Sequence, residues 1–514
     1  MTSLAHALRA TAHRYAQQPA VIEGLRALDF ASFDLQSDRL AGALIQQGIR
    51  KGDRVGLYCI NSGFFAIAYA GIIKAGATVV PINLLQSPGG IAYLLNDSGS
   101  KALIHHAVFA EQAAFLKESV PTLAFSVCIG GEVDGALRWD DMLATDAPAP
   151  EIDFDAIEDL AAILYTSGTT GRPKGAMLTH ANLLANTQSL REAWDWQPGR
   201  DVVLVVLPMF HAFAATVGML TPLLSGCAFA PVPRFEPELV AQAIHDTQAT
   251  IFLGVPSMFN VLLRLKPDRV PLLASLRFCV SGGAALPVEV MQRFEAMFAK
   301  KIYEGDGPTE CSPVTCANPI GGLIKPGTVG LPVPGVEMRI VGDDAREELP
   351  RGQVGEIAVR GANVMKGYWN QPAATEEVFR DGWFLTGDLG TEDDDGYFTI
   401  VDRKKDLIIV NGMNVYPRVI EEALYRFPRI KEVAVVGEPN ELHGEIPVAY
   451  VVIEDQQTTT LAEIRAWCRQ HLGRHEIPRK IIQLSELPKN AAGKVLKREL
   501  RKHGEVERGV VGLA

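Results

Sequence analysis

The segment YTSGTTGRPKGAMLTH, Tyr165 to His180, decides how this chain is read. It follows the apolar run Leu160 to Tyr165, whose length and composition predict a buried strand. Gly168, Gly171 and Gly175 let a backbone come close to a ligand. Thr166, Ser167, Thr169 and Thr170 add hydroxyls, and Lys174 adds a positive charge. Any three of these residues would describe a flexible turn. The full string describes a loop that wraps a polyphosphate. It is not the P-loop of kinases, where Gly-Lys is followed by Ser or Thr, because Arg172-Pro173-Lys174-Gly175 stands at that place.

Outward from this loop, from Leu4 to about Leu331, apolar strand-like runs alternate with helical stretches. The runs are Val55 to Ile60, Val202 to Leu207, Thr250 to Leu253 and Arg277 to Val280, and they predict an α/β body with largely buried sheets. From Val336 to Val401 the pattern changes to short strands with Gly and Asp turns, as in an antiparallel unit. After Val401, strands (Leu407 to Val410, Val433 to Val436, Ala449 to Ile453) mix with helices (Arg418 to Phe427, Leu461 to Leu472). We therefore expect an N-terminal body over 1–402, β-rich from about 332, and a small mobile α+β domain over 403–514. The tail from His503 reads as loosely ordered.

Composition bounds the function. The chain has 514 residues, 47% hydrophobic and 21% charged, which is globular, and its net charge of −11 argues against a broad nucleic-acid surface. Anionic ligands must therefore be met locally. Seven cysteines without CxxC or Cys/His spacing point to neither a disulfide framework nor a zinc site and fit a reducing cytosol. Leu4, Leu8, Ala12 and Tyr15 recur at helical spacing, so the N-terminus reads as a surface helix packed on its own domain. The apolar stretch Ala212 to Val232 is broken by Gly and Pro and reads as a buried helix and strand rather than a membrane span.

Further motifs follow in order: LPMFHAF (207–213), DGPTE (306–310), TGDLG (386–390), DRKKDLIIVNGMNVYP (402–417) and PKNAAGKVLKREL (488–500). With the phosphate loop, this series resembles the adenylate-forming superfamily over essentially the whole chain, on its acyl-CoA synthetase branch. The resemblance implies ATP, Mg2+ and coenzyme A as cofactor and co-substrates. Thr166, Ser167, Gly168, Thr169, Thr170, Gly171 and Lys174 would cradle phosphate, and Gly283 and Ala284 would lie beside the nucleotide and acyl chain. It further implies that Glu310 holds Mg2+, Thr309 contacts the α-phosphate, and Asp388 and Arg403 bind ribose. Lys494 would bridge the substrate carboxylate and the α-phosphate, His211 would line the carboxylate and thiol approach, and Lys405 would be the hinge. One departure stands out: Asp306 and Gly307 follow Gly305 where the family carries an adenine-stacking aromatic before Gly. Either stacking comes from elsewhere, with Tyr303 the candidate, or Asp306 accepts a hydrogen bond from the base.

The stretch His211 to Thr216 contains no acid to pair with a substrate ammonium, so amino acids are disfavoured. Phe213, Ala214, Gly218, Gly254 and Val255 suggest an apolar pocket, suited to a medium- or long-chain fatty acid or an aryl carboxylate. Phe379 to Leu385 runs straight into Thr386 without the insert usual in ligases that load acyl carrier proteins, which favours CoA as acceptor over a carrier-protein phosphopantetheine. No carrier domain follows Ala514, so a stand-alone enzyme is expected. A catalytically silent nucleotide-binding protein is the alternative of a different class. Monomer and homodimer both stay open.

Overall fold

A computed structural model describes residues 2–145, 150–166, 172–342, 344–345, 347–440, 442–454, 460–490 and 493–502. Among these residues three sheets build the body. In the first, strands Pro19–Glu23, Ala228–Pro231, Val202–Val205, Ile251–Gly254, Phe278–Ser281 and Ile302–Asp306 lie side by side and parallel, with short antiparallel strands at both edges. Their apolar runs without alternation follow from helices covering both faces. In the second, Leu160–Thr166, Thr78–Pro81, Arg54–Tyr58, Ala102–His106 and Phe125–Ile129 are parallel, and Lys174–Thr179 folds back antiparallel on Leu160–Thr166. The third is antiparallel, built on Val336–Val341, Gly355–Gly361, Trp383–Glu392 and Phe398–Arg403, as the Gly and Asp turns suggested.

The N-terminal helix Leu4–Arg14 is capped by Ser3, whose hydroxyl accepts the His6 N–H, and buries Leu4, Leu8 and Ala12. The apolar stretch from Ala212 splits as expected into helix and strand, but the helix over Phe213–Leu220 is π-helical before it tightens at Thr221–Leu224. Such wide turns shift the facing of the residues that follow them and favour functional sites.

Two buried clusters flank the C-terminal sheet Met413–Val415, Ile408–Val410, Gly444–Ile453, Ile430–Asn440 and Lys480–Gln483, one on each face, and every buried residue in them lies between Ile408 and Leu500. The large cluster of the body ends at Phe398. Arg403, expected at the start of the small unit, is the last residue of a body strand, in register with Asp388. The tail expected to be loose, 503–514, lies outside the described residues.

Candidate active site

The described parts of the motif string form two antiparallel strands, Leu160–Thr166 and Lys174–Thr179. Thr166 pairs with Lys174 across them, and Gly175 is needed because a Cβ there would lie 2.7 Å from the Ile163 side chain. The expected phosphate ligands Ser167, Gly168, Thr169, Thr170 and Gly171 lie outside the described residues. From the far strand, Lys174 Nζ sits 5.0 Å above the ring of Tyr368. The Tyr368 hydroxyl donates to Glu310 Oε1 at 2.8 Å. Strand Gly367–Tyr368 pairs with Ala176 and Met177, which puts this tyrosine between the strand Lys174–Thr179 and the DGPTE turn. Tyr368 was not singled out from the sequence. Its role depends on strand pairing between distant segments, and only the adjacency Lys366-Gly367-Tyr368 could have hinted at a turn.

The DGPTE turn is tight. The Asp306 carbonyl accepts both the N–H and the hydroxyl of Thr315 (2.9 and 3.1 Å), and a Cβ on Gly307 would fall 1.8 Å from the Pro313 carbonyl oxygen. Thr309 and Glu310 begin the short helix that follows, half-buried at the cleft. With Oε1 engaged by Tyr368, the other Glu310 carboxylate oxygen has no hydrogen-bond partner among the described residues. Among the described residues no group of three or more His, Cys, Asp or Glu could hold a metal. A lone carboxylate beside a phosphate loop fits Mg2+, which takes one or two protein oxygens and completes its shell with phosphate and water.

Opposite this turn, Arg403 donates from Nε to Asp388 Oδ1 (2.6 Å) and from Nη2 to Oδ2 (3.2 Å), a fork-on-fork pair set by their register across two strands. Burial disfavours the guanidinium charge, but the Asp388 carboxylate more than offsets it, so Arg403 is held above its ordinary range. Burial and the neighbouring Asp388 push the Asp306 carboxyl up to about 6, against the pull of Arg403 and Lys494. Tyr303 does not serve as a stacking platform. Its ring meets Phe278 edge-on at 5.8 Å and its hydroxyl accepts the Gly321 N–H, because positions 303 and 306 of one strand face opposite sides.

His211 follows the strand Val202–Val205 in a loop held by Asn61, whose side-chain amide donates to the Leu207 and Val232 carbonyls (2.9 and 3.1 Å) and accepts the Met209 N–H (2.8 Å). Asn61 is a second residue the sequence did not disclose, since all its partners are main-chain groups. Burial, then Lys494, lowers His211 to about 4, so it is neutral at pH 7. Lys494 belongs to the small unit and is exposed to the cleft between the two units. That crowded setting, then Arg403, lowers its pKa, while Asp388 and Asp306 oppose the shift. Among the described residues it has no ion pair.

Of the expected acyl-pocket residues, Phe213 lies against Gly282, and Val255 faces both Gly283 and Gly493. Ala214 is fully buried. Gly218 and Gly254 differ from expectation. A Cβ at Gly218 would lie 2.9 Å from Val205, and one at Gly254 3.0 Å from Phe259, so both serve close packing rather than form a free wall. Gly283 and Ala284 are exposed towards the cleft, with Gly283 at φ +77°. Around the expected hinge, the Lys404 N–H bonds the Gly387 carbonyl and its Nζ pairs with Glu356 at 2.9 Å, both in the body. Asp406 pairs with Arg501 of the small unit. Lys405 thus separates one residue tied to each unit.

A parallel-sheet body with an antiparallel strand pair bearing Lys174, a paired Asp/Arg and a lysine delivered by a second unit fits a nucleotide-dependent ligase. The AMP-binding enzyme family matches residues 8–369, and the AMP-binding enzyme C-terminal domain matches residues 419–494. The chain is 36% identical to the long-chain-fatty-acid–CoA ligase of Bacillus subtilis (95% of this chain, 92% of that protein) and 36% identical to a feruloyl-CoA synthase of Amycolatopsis (94% and 95%). ATP-bound MatB from Rhodopseudomonas palustris superposes with a TM-score of 0.89 at 32% identity over 98% of this chain and 99% of that one, whereas apo MatB gives 0.79 over the same coverage. The chain belongs to the AMP-binding enzyme family, in its acyl-CoA synthetase branch, and is an AMP-forming acid–thiol ligase that uses ATP, Mg2+ and CoA. Among the described residues no helix is long and apolar enough to cross a membrane.

Proposed function

We propose that the chain activates an apolar carboxylic acid, a medium- or long-chain fatty acid, to its acyl-adenylate and transfers the acyl group to CoA, with the residues assigned as follows. The carboxylate oxygen attacks the α-phosphorus and pyrophosphate leaves. Thr309 contacts the α-phosphate, and Lys174 and the loop 166–171 hold the outer phosphates. Mg2+, when bound through Glu310, neutralises charge on the departing phosphates. Asp388 and Arg403 hold the ribose, since each Asp388 oxygen keeps a lone pair after the Arg403 fork. Lys494 bridges the two anions that must approach each other, where a positive charge at a fixed point lowers the barrier most. The observation that carries this reading is the convergence of Lys494, from the small unit, with His211, Asp306 and the Asp388–Arg403 pair of the body.

In the second step the thiol sulfur attacks the acyl carbon and AMP leaves. Lys494 then occupies space that the thiol must enter, so the small unit that follows Lys405 turns about that residue, between the Lys404 and Asp406 tethers. Neutral His211 lines that approach. Phe213 and Val255 form the mouth of the acyl site, and the absence of any acid from His211 to Thr216 leaves no partner for a charged substrate amine. Identity to the fatty-acid and feruloyl relatives is equal, so it does not choose between alkyl and aryl acids.

Incubation with C2 to C18 and aryl acids, ATP, Mg2+ and either CoA or pantetheinylated carrier protein, read by mass spectrometry, tests the reading. Acyl-CoA formation peaking on C8 to C18 acids is the expected outcome. Turnover confined to aryl acids, or only with carrier protein, contradicts it.

A further inference from the structure

We propose that Asn260, with Ser257 one turn before it, is a latch that holds the small unit over the adenylating site and thereby sets how the enzyme divides its time between its two half-reactions. Both residues lie on the body helix Pro256–Leu262, three positions apart and so on one face. The Asn260 side-chain amide donates to the Lys431 carbonyl of the small unit at 3.1 Å. The Ser257 hydroxyl reaches the Gly493 carbonyl at 3.5 Å, the long limit of a hydrogen bond. Gly493, at φ +78°, brings its backbone so close that a Cβ would lie 3.1 Å from Ser257 Oγ and 3.2 Å from Val255 Cγ2. The helix therefore touches the lysine loop immediately before Lys494 and the strand Ile430–Asn440 of the small unit's sheet. Neither residue belongs to any of the motifs, and neither touches the reacting groups.

The latch rests on the proposed function, in which Lys494 must be over the cleft for adenylation and away from it for thioester formation. If adenylation follows the closed population and thioester formation the open one, the ratio of the two rates is proportional to the opening equilibrium constant, so a change in that constant changes the ratio by the same factor whatever its starting value. Removing one net hydrogen bond moves an equilibrium by roughly threefold to tenfold. The contact is made to a main-chain carbonyl, so the side chain of Lys431 is immaterial to it.

The test measures ATP–pyrophosphate exchange and, separately, CoA thioester formation from supplied acyl-adenylate, on the full chain. Asn260→Ala and Asn260→Leu should both raise the ratio of thioester formation to exchange about threefold to tenfold, Ser257→Ala should raise it less, and Lys431→Ala should leave it unchanged. Trypsin cleavage at Lys404 and Lys405 should quicken in the Asn260 variants. An unchanged ratio in both Asn260 variants, or a fall in it, overturns the latch. Lys494→Ala in the same assays separates the two failures: if it leaves exchange intact, the underlying reading fails, whereas its loss of exchange alongside an unmoved Asn260 ratio removes the latch only.

Discussion

The two sides of the cleft hold their charges in opposite ways. On the body, Asp388 and Arg403 are locked by strand register and a two-point hydrogen-bonded fork, and Glu310 is pinned by Tyr368. Across from them Lys494 has no ion pair among the described residues, and its loop is held by light contacts: the Asn490 side chain accepts the Lys494 N–H at 2.9 Å, and the Ser257 hydroxyl reaches the Gly493 carbonyl at 3.5 Å. The wall is preorganised at the expense of mobility. The lysine stays free to leave, and desolvation in the cleft, then the nearby Arg403, lowers its pKa. A single pocket that must do two chemical steps needs both kinds of holding.

Breaking the fixed side should cost most. Asp388→Ala leaves Arg403 without its partner and the ribose without an acceptor. We expect kcat/KM for ATP to fall by about 10²- to 10³-fold, measured by pyrophosphate exchange, while a fall below about threefold would count against the assignment. Lys405→Pro fixes φ at the point between the two tethers. It should slow thioester formation from supplied acyl-adenylate roughly tenfold or more and change exchange less. If both half-reactions run at wild-type rates, the hinge lies elsewhere.

Tyr368→Phe removes one hydroxyl bonded to a carboxylate. Loss of a charge-assisted bond should raise the Mg2+ concentration at half-maximal binding by about tenfold, read by titrating the nucleotide-bound protein with Mn2+ by paramagnetic resonance as well as by rate. A pH profile sharpens the same contrast. Lys494 titrates below the ordinary 10.5, so kcat/KM for exchange should fall as pH rises through that lowered value and the cation is lost. Asp306, pushed up to about 6, loses its negative charge as pH falls through that value, so the KM for ATP should drop about twofold to threefold below pH 6. Asp306→Asn should flatten that limb. His211, already neutral above about 4, should contribute none between pH 5 and 8.

What could be read from the chain was whatever lies in one line of it. Glycine spacing between Tyr165 and His180, unalternating apolar runs and the order of the later motifs carried the α/β body, the β-rich section and the convergence of Lys494, His211, Asp388 and Arg403. What could not be read was whatever depends on pairing between distant segments. Tyr368 acquires its function from a two-residue strand beside Ala176, and Asn61 and Asn260 bind main-chain carbonyls, which carry no residue signature. Tyr303 is a different case: strand arithmetic, with 303 and 306 of opposite parity, already turns it away from the cleft. Gly218 and Gly254 look like pocket wall only when packing partners are unknown, and Val205 and Phe259 fill the space beside them.

On the proposed function, Lys494 is a mobile charge needed for one half-reaction only. Its most direct test is Lys494→Ala, assayed for ATP–pyrophosphate exchange and, independently, for CoA thioester formation from supplied acyl-adenylate. Exchange should fall at least about 10²-fold with thioester formation within twofold of wild type. Intact exchange, or equal loss of both activities, would contradict it.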